Sequence, residues 1–238
     1  MNSASSVVKN LAEVRERIAA AARRAGRRQE EIALMAVSKT FPAEIIREAY
    51  NAGQRVFGEN RVQEFADKAG ALTDLPDAEW HMIGHLQTNK AAKAAELFSA
   101  VDSVNSLRLA EKLNADTQKG NKRLPVLIEI YVGGEAAKSG VAPDSPELEQ
   151  LLAAAPQLTA LQFCGLMTIP PFTEDPQQAR PYFRRLRELR DQIAARHLPA
   201  VNLDVLSMGM SHDFEVAIEE GSTCVRVGTA IFGERTKH

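Results

Sequence analysis

Lys39, Arg226 and two short hydroxyl-bearing stretches are the residues of this sequence that could do chemistry together. Lys39 closes an apolar run, Ile32-Ala-Leu-Met-Ala-Val37, and Thr40-Phe41-Pro42 follow at once. A lysine amine at the edge of an apolar interior can attack a carbonyl and hold it as an imine, although many strands simply end in a solvated lysine. Ser207-Met-Gly-Met-Ser211 and Gly228-Thr229 each run into the predicted start of a helix. Helix starts present unpaired N–H groups and a partial positive charge, which suit a phosphate dianion. Ordinary helix capping by Ser211 and Thr229 is the plainer alternative. Arg226 lies inside the run Cys224-Val-Arg-Val227. A guanidinium directed into an interior is costly unless it meets a ligand or a partner, and an ion pair with Glu129 is the structural alternative.

The elements that must position these residues follow from periodicity. Val7, Leu11, Val14 and Ile18 recur at helical spacing before Gly26, predicting an amphipathic helix ahead of the first strand. In the run that ends at Lys39, Ala33, Met35, Val37 and Lys39 share one face. Pro42 opens a helix through Tyr50, with Gly53 as its stop. Further strands are predicted at Arg55 to Asn60, Trp80 to Gly84, Val101 to Val104, Pro125 to Val132, Leu161 to Met167, Leu203 to Leu206 and Cys224 to Val227. Between them lie helices around Val62 to Ala69, Thr88 to Phe98, Leu107 to Leu113, Pro146 to Ala155, Asp175 to Ile193 and His212 to Glu219. Strand and helix alternate eight times without a linker-like break in composition. The pattern predicts one α/β unit over residues 1–238, a (β/α)₈ TIM barrel with an extra N-terminal helix. A doubly wound open sheet is the alternative, but no GxGxxG follows the first strand.

In a barrel the strand C-termini form one mouth, and they carry Lys39, Asn60, the Gly84-His85 turn, Met167-Thr168, Ser207 and Arg226. A lysine, a phosphate cradle after strands seven and eight, and an arginine on the same rim are the parts of a pyridoxal phosphate site. The group that meets the ring nitrogen sets the chemistry. Aspartate keeps that nitrogen protonated and the ring electron-withdrawing, whereas arginine only donates and leaves it neutral. With Arg226 in that place, the site is a weak electron sink.

Six stretches in order then resemble one family: Ala36-Val-Ser-Lys-Thr40, Phe57-Gly-Glu-Asn60, Trp80-His-Met-Ile-Gly-His-Leu-Gln-Thr-Asn-Lys90, Gly165-Leu-Met-Thr-Ile169, Leu206-Ser-Met-Gly-Met-Ser211 and Val225-Arg-Val-Gly-Thr-Ala-Ile-Phe-Gly233. They look like the pyridoxal phosphate homeostasis protein family, which is similar in fold to the N-terminal barrel of alanine racemase. The resemblance implies a protein that holds pyridoxal 5'-phosphate as a lysine imine and stores, buffers or delivers it without established catalysis. It implies Lys39 as the imine lysine, with Asn60 and Met167 lining the cofactor. Ser207, Gly209, Ser211, Gly228 and Thr229 would hold the phosphate, and Arg226 would face the ring nitrogen. Lys138-Ser-Gly140 also matches the family's pattern, with no role assigned and a solvated loop lysine as the plain reading for Lys138. Pyridoxal phosphate-dependent apoenzymes are the partners this implies, and a monomer is expected. The alternatives are a slow pyridoxal phosphate-dependent racemase and a Schiff-base aldolase of sugar phosphates. Alanine racemases carry a second domain with a tyrosine as second acid/base. Tyr50, Tyr131 and Tyr182 all fall within predicted barrel elements, so no such tyrosine is expected here.

Composition points the same way. A net charge of -2 gives no pull toward nucleic acid or a membrane surface. No signal peptide and no membrane span are expected, and the two cysteines, Cys164 and Cys224, read as buried reduced thiols, so a cytoplasmic protein is expected. The five histidines form no metal-ligand spacing with them. Arg180, Arg184, Arg185, Arg187, Arg190 and Arg196 crowd one predicted helix and read as a solvated face with Glu188 and Asp191 as partners.

Overall fold

The computed structural model describes residues 3–133 and 139–234. The first helix, α1 (Ser3–Arg24), ends where Gly26 takes a left-handed φ of 67°. Eight strands follow: β1 (Ala33–Val37), β2 (Val56–Glu59), β3 (Glu79–Met82), β4 (Ala100–Val104), β5 (Leu124–Glu129), β6 (Leu161–Met167), β7 (Val201–Ser207) and β8 (Cys224–Val227). The α-helices between and after them are α2 (Ala43–Asn51), α3 (Val62–Ala69), α4 (Ala91–Leu97), α5 (Leu107–Lys119), α6 (Pro146–Ala154), α7 (Arg180–Ala194), α8 (Phe214–Glu219) and α9 (Thr229–Phe232). Every neighbouring strand pair is parallel, and β1 pairs β8 from Ala33↔Cys224 to Ala36↔Val227, which closes the barrel. The expected TIM barrel with an added N-terminal helix is thus the fold.

Alternation along each strand divides the apolar residues into two layers. Ala36, Phe57, Trp80, Met82, Val126 and Leu166 join the large cluster between the strands and the helices. Met35, Val37, Ile83 and Cys224 form a small cluster inside the barrel, with Val56 and Val205 against it. The face that Lys39 continues is therefore the interior one. Helix α1 adds Val7, Leu11, Val14 and Ile18 to the outer layer and packs against α2, α8 and α9, lying alongside the barrel rather than within its repeat.

Several expectations shift. Strand β5 stops at Glu129, because the chain turns to make an isolated bridge between Ile130 and Val141. Helix α5 runs on to Lys119, where Asp116 binds Lys112 and Lys119. Helix α8 begins only at Phe214, so the residues after Ser211 form a turn. Cys224 is buried, but Cys164 is only half-buried; both are free thiols. The arginines of α7 are not simply a solvated face: Arg180, Arg184 and Arg187 converge on the buried Glu220. Of the two expected partners, Asp191 does pair with Arg190, while Arg180 also binds Glu219. This cluster ties α7 to the end of α8 and accounts for half of the arginine run.

Candidate functional site

A cavity of about 360 Å³ opens at the C-terminal end of the barrel. Six of the sequence-predicted residues line it: Lys39, Asn60, Ser211, Arg226, Gly228 and Thr229. Lys39 follows β1, and Thr40 after it takes a φ of 67°, a left-handed conformation that a threonine adopts only when it is held there. What holds it is α3. The Glu64 carboxylate accepts a hydrogen bond from the Thr40 N–H. Lys68 donates to the carbonyls of Ser38 (3.1 Å) and Phe41 (3.3 Å) and pairs with Glu59 at 2.8 Å. Glu59 is fully buried and also accepts from Ser38 Oγ at 2.5 Å. Burial pushes the Glu59 pKa up, and the Lys68 ammonium opposes that.

Asn60 sits at the end of β2, where the following strand comes very close. A Cβ on Gly84 would lie 2.3 Å from the Asn60 carbonyl oxygen, so only glycine lets the β3 turn approach. Arg226 is 3% exposed, in register with Met35. Its Nη1 donates to Ser207 Oγ and its Nη2 to the Thr168 carbonyl, both at 2.7 Å. Burial lowers its pKa, against the fields of the Cys224 thiol and the acids Asp102, Asp213 and Glu129. No ion pair joins it to Glu129 among the described residues; the hydroxyl and carbonyl take that place.

The remaining predicted residues stand behind the cavity wall. Ser207 and Met167 are fully buried, and in register they lie abreast of Cys224 and Glu129 across β8, β7, β6 and β5. Ser207 faces Arg226. Gly209 has a φ of 94°, and its carbonyl accepts from the Arg226 N–H at 2.9 Å. Ser211 does not cap its own helix. Its Oγ accepts from the N–H groups of Gly228 (3.2 Å) and Ala230 (3.3 Å), binding the loop after β7 to the start of α9. The Met210 N–H donates to Asp213 at 2.6 Å, and burial raises the pKa of that carboxyl. Hydroxyl and backbone N–H groups from two adjacent strands therefore meet at one side of the cavity. Lys138 lies outside the described residues, as do Gly134 and the rest of residues 134–138.

The Gly84-His85 turn lines the cavity, as its place at the end of β3 predicts. Sequence reasoning missed Ser139 and His212, which form part of the wall, and gave Glu129 no place on it. Glu129 points inward because it alternates with the helix-facing Ile128 and Ile130, and the expected ion pair with Arg226 is replaced by a place on the cavity wall. Ile169 also lines the cavity and is 45% exposed; Phe172 nearby packs its ring against His212 at 5.4 Å between centroids. None of the three tyrosines lines the cavity. Tyr50 is bonded to Asp77, with the Arg55 guanidinium 4.1 Å from its ring.

A closed barrel of eight parallel strands is the fold of the alanine racemase N-terminal domain. The sequence profile of that family, "Alanine racemase, N-terminal domain", matches residues 10–236. The pyridoxal phosphate homeostasis protein of Aquifex aeolicus (strain VF5) is 51% identical over 225 residues, covering 94% of this chain and 96% of that one. The protein of the same name from Escherichia coli (strain K12) is 46% identical over 232 residues, covering 96% and 97%. PipY of Synechococcus elongatus PCC7942, solved with PLP bound, is 38% identical with a TM-score of 0.81, covering 95% of this chain and 100% of that one. Alanine racemase from Streptomyces coelicolor A3(2) shares the fold at a TM-score of 0.73 and 20% identity, covering 98% of this chain and 59% of that one. The chain belongs to the pyridoxal phosphate homeostasis protein family.

Proposed function

We propose that the chain binds pyridoxal 5'-phosphate in the mouth cavity, holds it as an imine on Lys39, and stores, buffers or delivers it without catalytic turnover. The bound cofactor supplies an aldehyde, which condenses with a primary amine to give C=N with loss of one water. The residues present fit such a group. Lys39 offers the amine from the interior face of β1, Asn60 lines the wall after β2, and Met167 is buried at the end of β6. Ser211 and Thr229 offer hydroxyl donors for the phosphate at the Gly228 turn, whose N–H is held by Ser211 Oγ, with Ser207 and Gly209 supporting from behind.

The observation that carries the non-catalytic reading is the Arg226 guanidinium. It is fixed by Ser207 and Thr168 on the wall of the cavity that Lys39 enters. A guanidinium only donates, so a pyridine nitrogen meeting it stays unprotonated and the ring withdraws electrons weakly. The cofactor is then tethered more than it is activated. Delivery to apoenzymes, as a monomer in the cytoplasm, completes the proposal. Among the described residues no helix is long and apolar enough to cross a membrane.

The test is the absorption spectrum of the purified protein loaded with pyridoxal 5'-phosphate, before and after borohydride. An imine band is expected that borohydride abolishes and that Lys39→Ala lacks. Persistence of the band without Lys39 would overturn the assignment. Alanine or serine racemisation at ordinary enzyme rates, lost in Lys39→Ala, would replace the homeostatic reading with a racemase.

A further inference from the structure

Glu129 is the one acidic side chain among the described residues that line the cavity. It is 3% exposed, and its Oε1 accepts from Ser139 Oγ at 2.7 Å. Its Oε2 is buried and meets no donor among the described residues. Arg226, which shares the cavity wall, commits Nη1 and Nη2 to Ser207 and Thr168 instead. A buried carboxyl oxygen without a donor is costly, and on a cavity wall the missing donor is one that a ligand brings.

We infer that the cavity takes, besides the aldehyde, a phosphorylated pyridine with a primary amine in the aldehyde's place, its ammonium group received by Oε2 of Glu129. This rests on the proposed function and names a second ligand class for the same site. Charge balance supports it. The phosphate brings about two negative charges at neutral pH. When Lys39 has captured the aldehyde, the shared nitrogen and Arg226 can balance that phosphate, and Glu129 is best kept protonated. Burial does push its pKa up, with the fields of His85 and Arg226 and the Ser139 hydrogen bond opposing only in part. An amine ligand cannot be captured covalently. The ligand's own ammonium then adds a positive charge that the captured aldehyde does not bring, and that charge calls for an ionised Glu129. One buried carboxyl that gains or loses a proton lets one cavity accept both forms.

The test is titration calorimetry of the cofactor-free protein with pyridoxamine 5'-phosphate and, in parallel, pyridoxal 5'-phosphate, in two buffers of different ionisation enthalpy. Wild type is expected to bind the amine and to release protons as it does so. Glu129→Gln keeps the shape but cannot ionise. It should shift the amine-to-aldehyde affinity ratio by about tenfold or more against the amine and abolish the proton release. An unchanged ratio in Glu129→Gln, or a wild type that binds the aldehyde and not the amine, overturns the inference. Should the variant not fold, the wild-type ratio across pH decides: it must fall as acid protonates Glu129, and a flat profile overturns the inference. A wild type that binds neither ligand overturns the proposed function itself, and this inference with it.

Discussion

Arg226 shows what a buried charge needs in order to stay useful. Its two terminal nitrogens reach Ser207 Oγ and the Thr168 carbonyl, so one fork ties β8 to β7 and to the turn after β6. A lysine keeps the charge but cannot span both acceptors. Arg226→Lys should therefore cost about 1–3 kcal/mol, the price of one buried acceptor left without a donor, read from urea unfolding at unchanged m-value. Gly209 makes a second case. A Cβ there would lie 2.6 Å from Ala217 Cβ and 2.9 Å from Phe214 Cα, and the φ of 94° is left-handed. Gly209→Ala should displace the loop after β7 from α8, lowering Tm and weakening phosphate-dependent binding together. Weakened binding with an unchanged Tm would contradict this. At this scale the sequence was legible where parity decides direction, as for Lys39 and Arg226. It was misleading where a hydroxyl's partner depends on three-dimensional approach: Ser207 and Ser211 look alike in sequence, yet one serves Arg226 and the other caps α9.

Helix α3 is the element that fixes the lysine. Lys68 bonds Glu59, Ser38 and Phe41 and lies 3.9 Å from Glu64, and all four contacts hold the turn that carries Lys39. Removing it leaves a fully buried carboxyl with only the Ser38 hydroxyl for company. Lys68→Met should cost about 3–5 kcal/mol, as breaking buried pairs does, and should reduce imine formation on Lys39. Glu59→Gln with Lys68→Met should recover part of the stability without restoring imine formation, which separates the two effects. Imine formation at the wild-type level in Lys68→Met would show that the turn holds itself. The motif Phe57-Gly-Glu-Asn60 is visible in the sequence, but the side Glu59 takes, with Phe57 toward the helices, is a finding of the structure. Its partner was not legible, because nothing in the spacing of α3 says which way Lys68 points. The same limit applies to β5, where an apolar run through Val132 reads as strand although the chain leaves the sheet at Glu129 to bridge Val141.

Across the whole molecule, closure into a barrel was legible because eight alternations leave few ways to pair parallel strands. What fills the barrel was not. Besides the Met35, Val37, Ile83 and Cys224 cluster, the interior holds an ion pair, His81 Nδ1 to Asp102 at 3.1 Å, with Glu79 at 3.9 Å from the other ring nitrogen. Strand alternation, which turns Trp80 and Met82 to the helices, sends His81 inward to Asp102. Burial works against the imidazolium, but Asp102 and Glu79 outweigh it and raise the His81 pKa to about 10 from an ordinary 6.5. Because the folded value lies above the unfolded one, the folded state binds the extra proton in between. The contribution is fully present below about pH 6.5 and is lost as pH rises through about 10. Thermal melts should therefore show stability falling across that alkaline window. His81→Leu should abolish that fall and, by leaving the buried Asp102 unpaired, cost about 3–5 kcal/mol at neutral pH. Adding Asp102→Leu should return much of the loss, since an apolar pair can replace a buried ion pair at little cost. A wild-type melt that is flat from pH 6.5 to 10, or a His81→Leu melt with the same slope as wild type, would show that the barrel floor is not held by this charge.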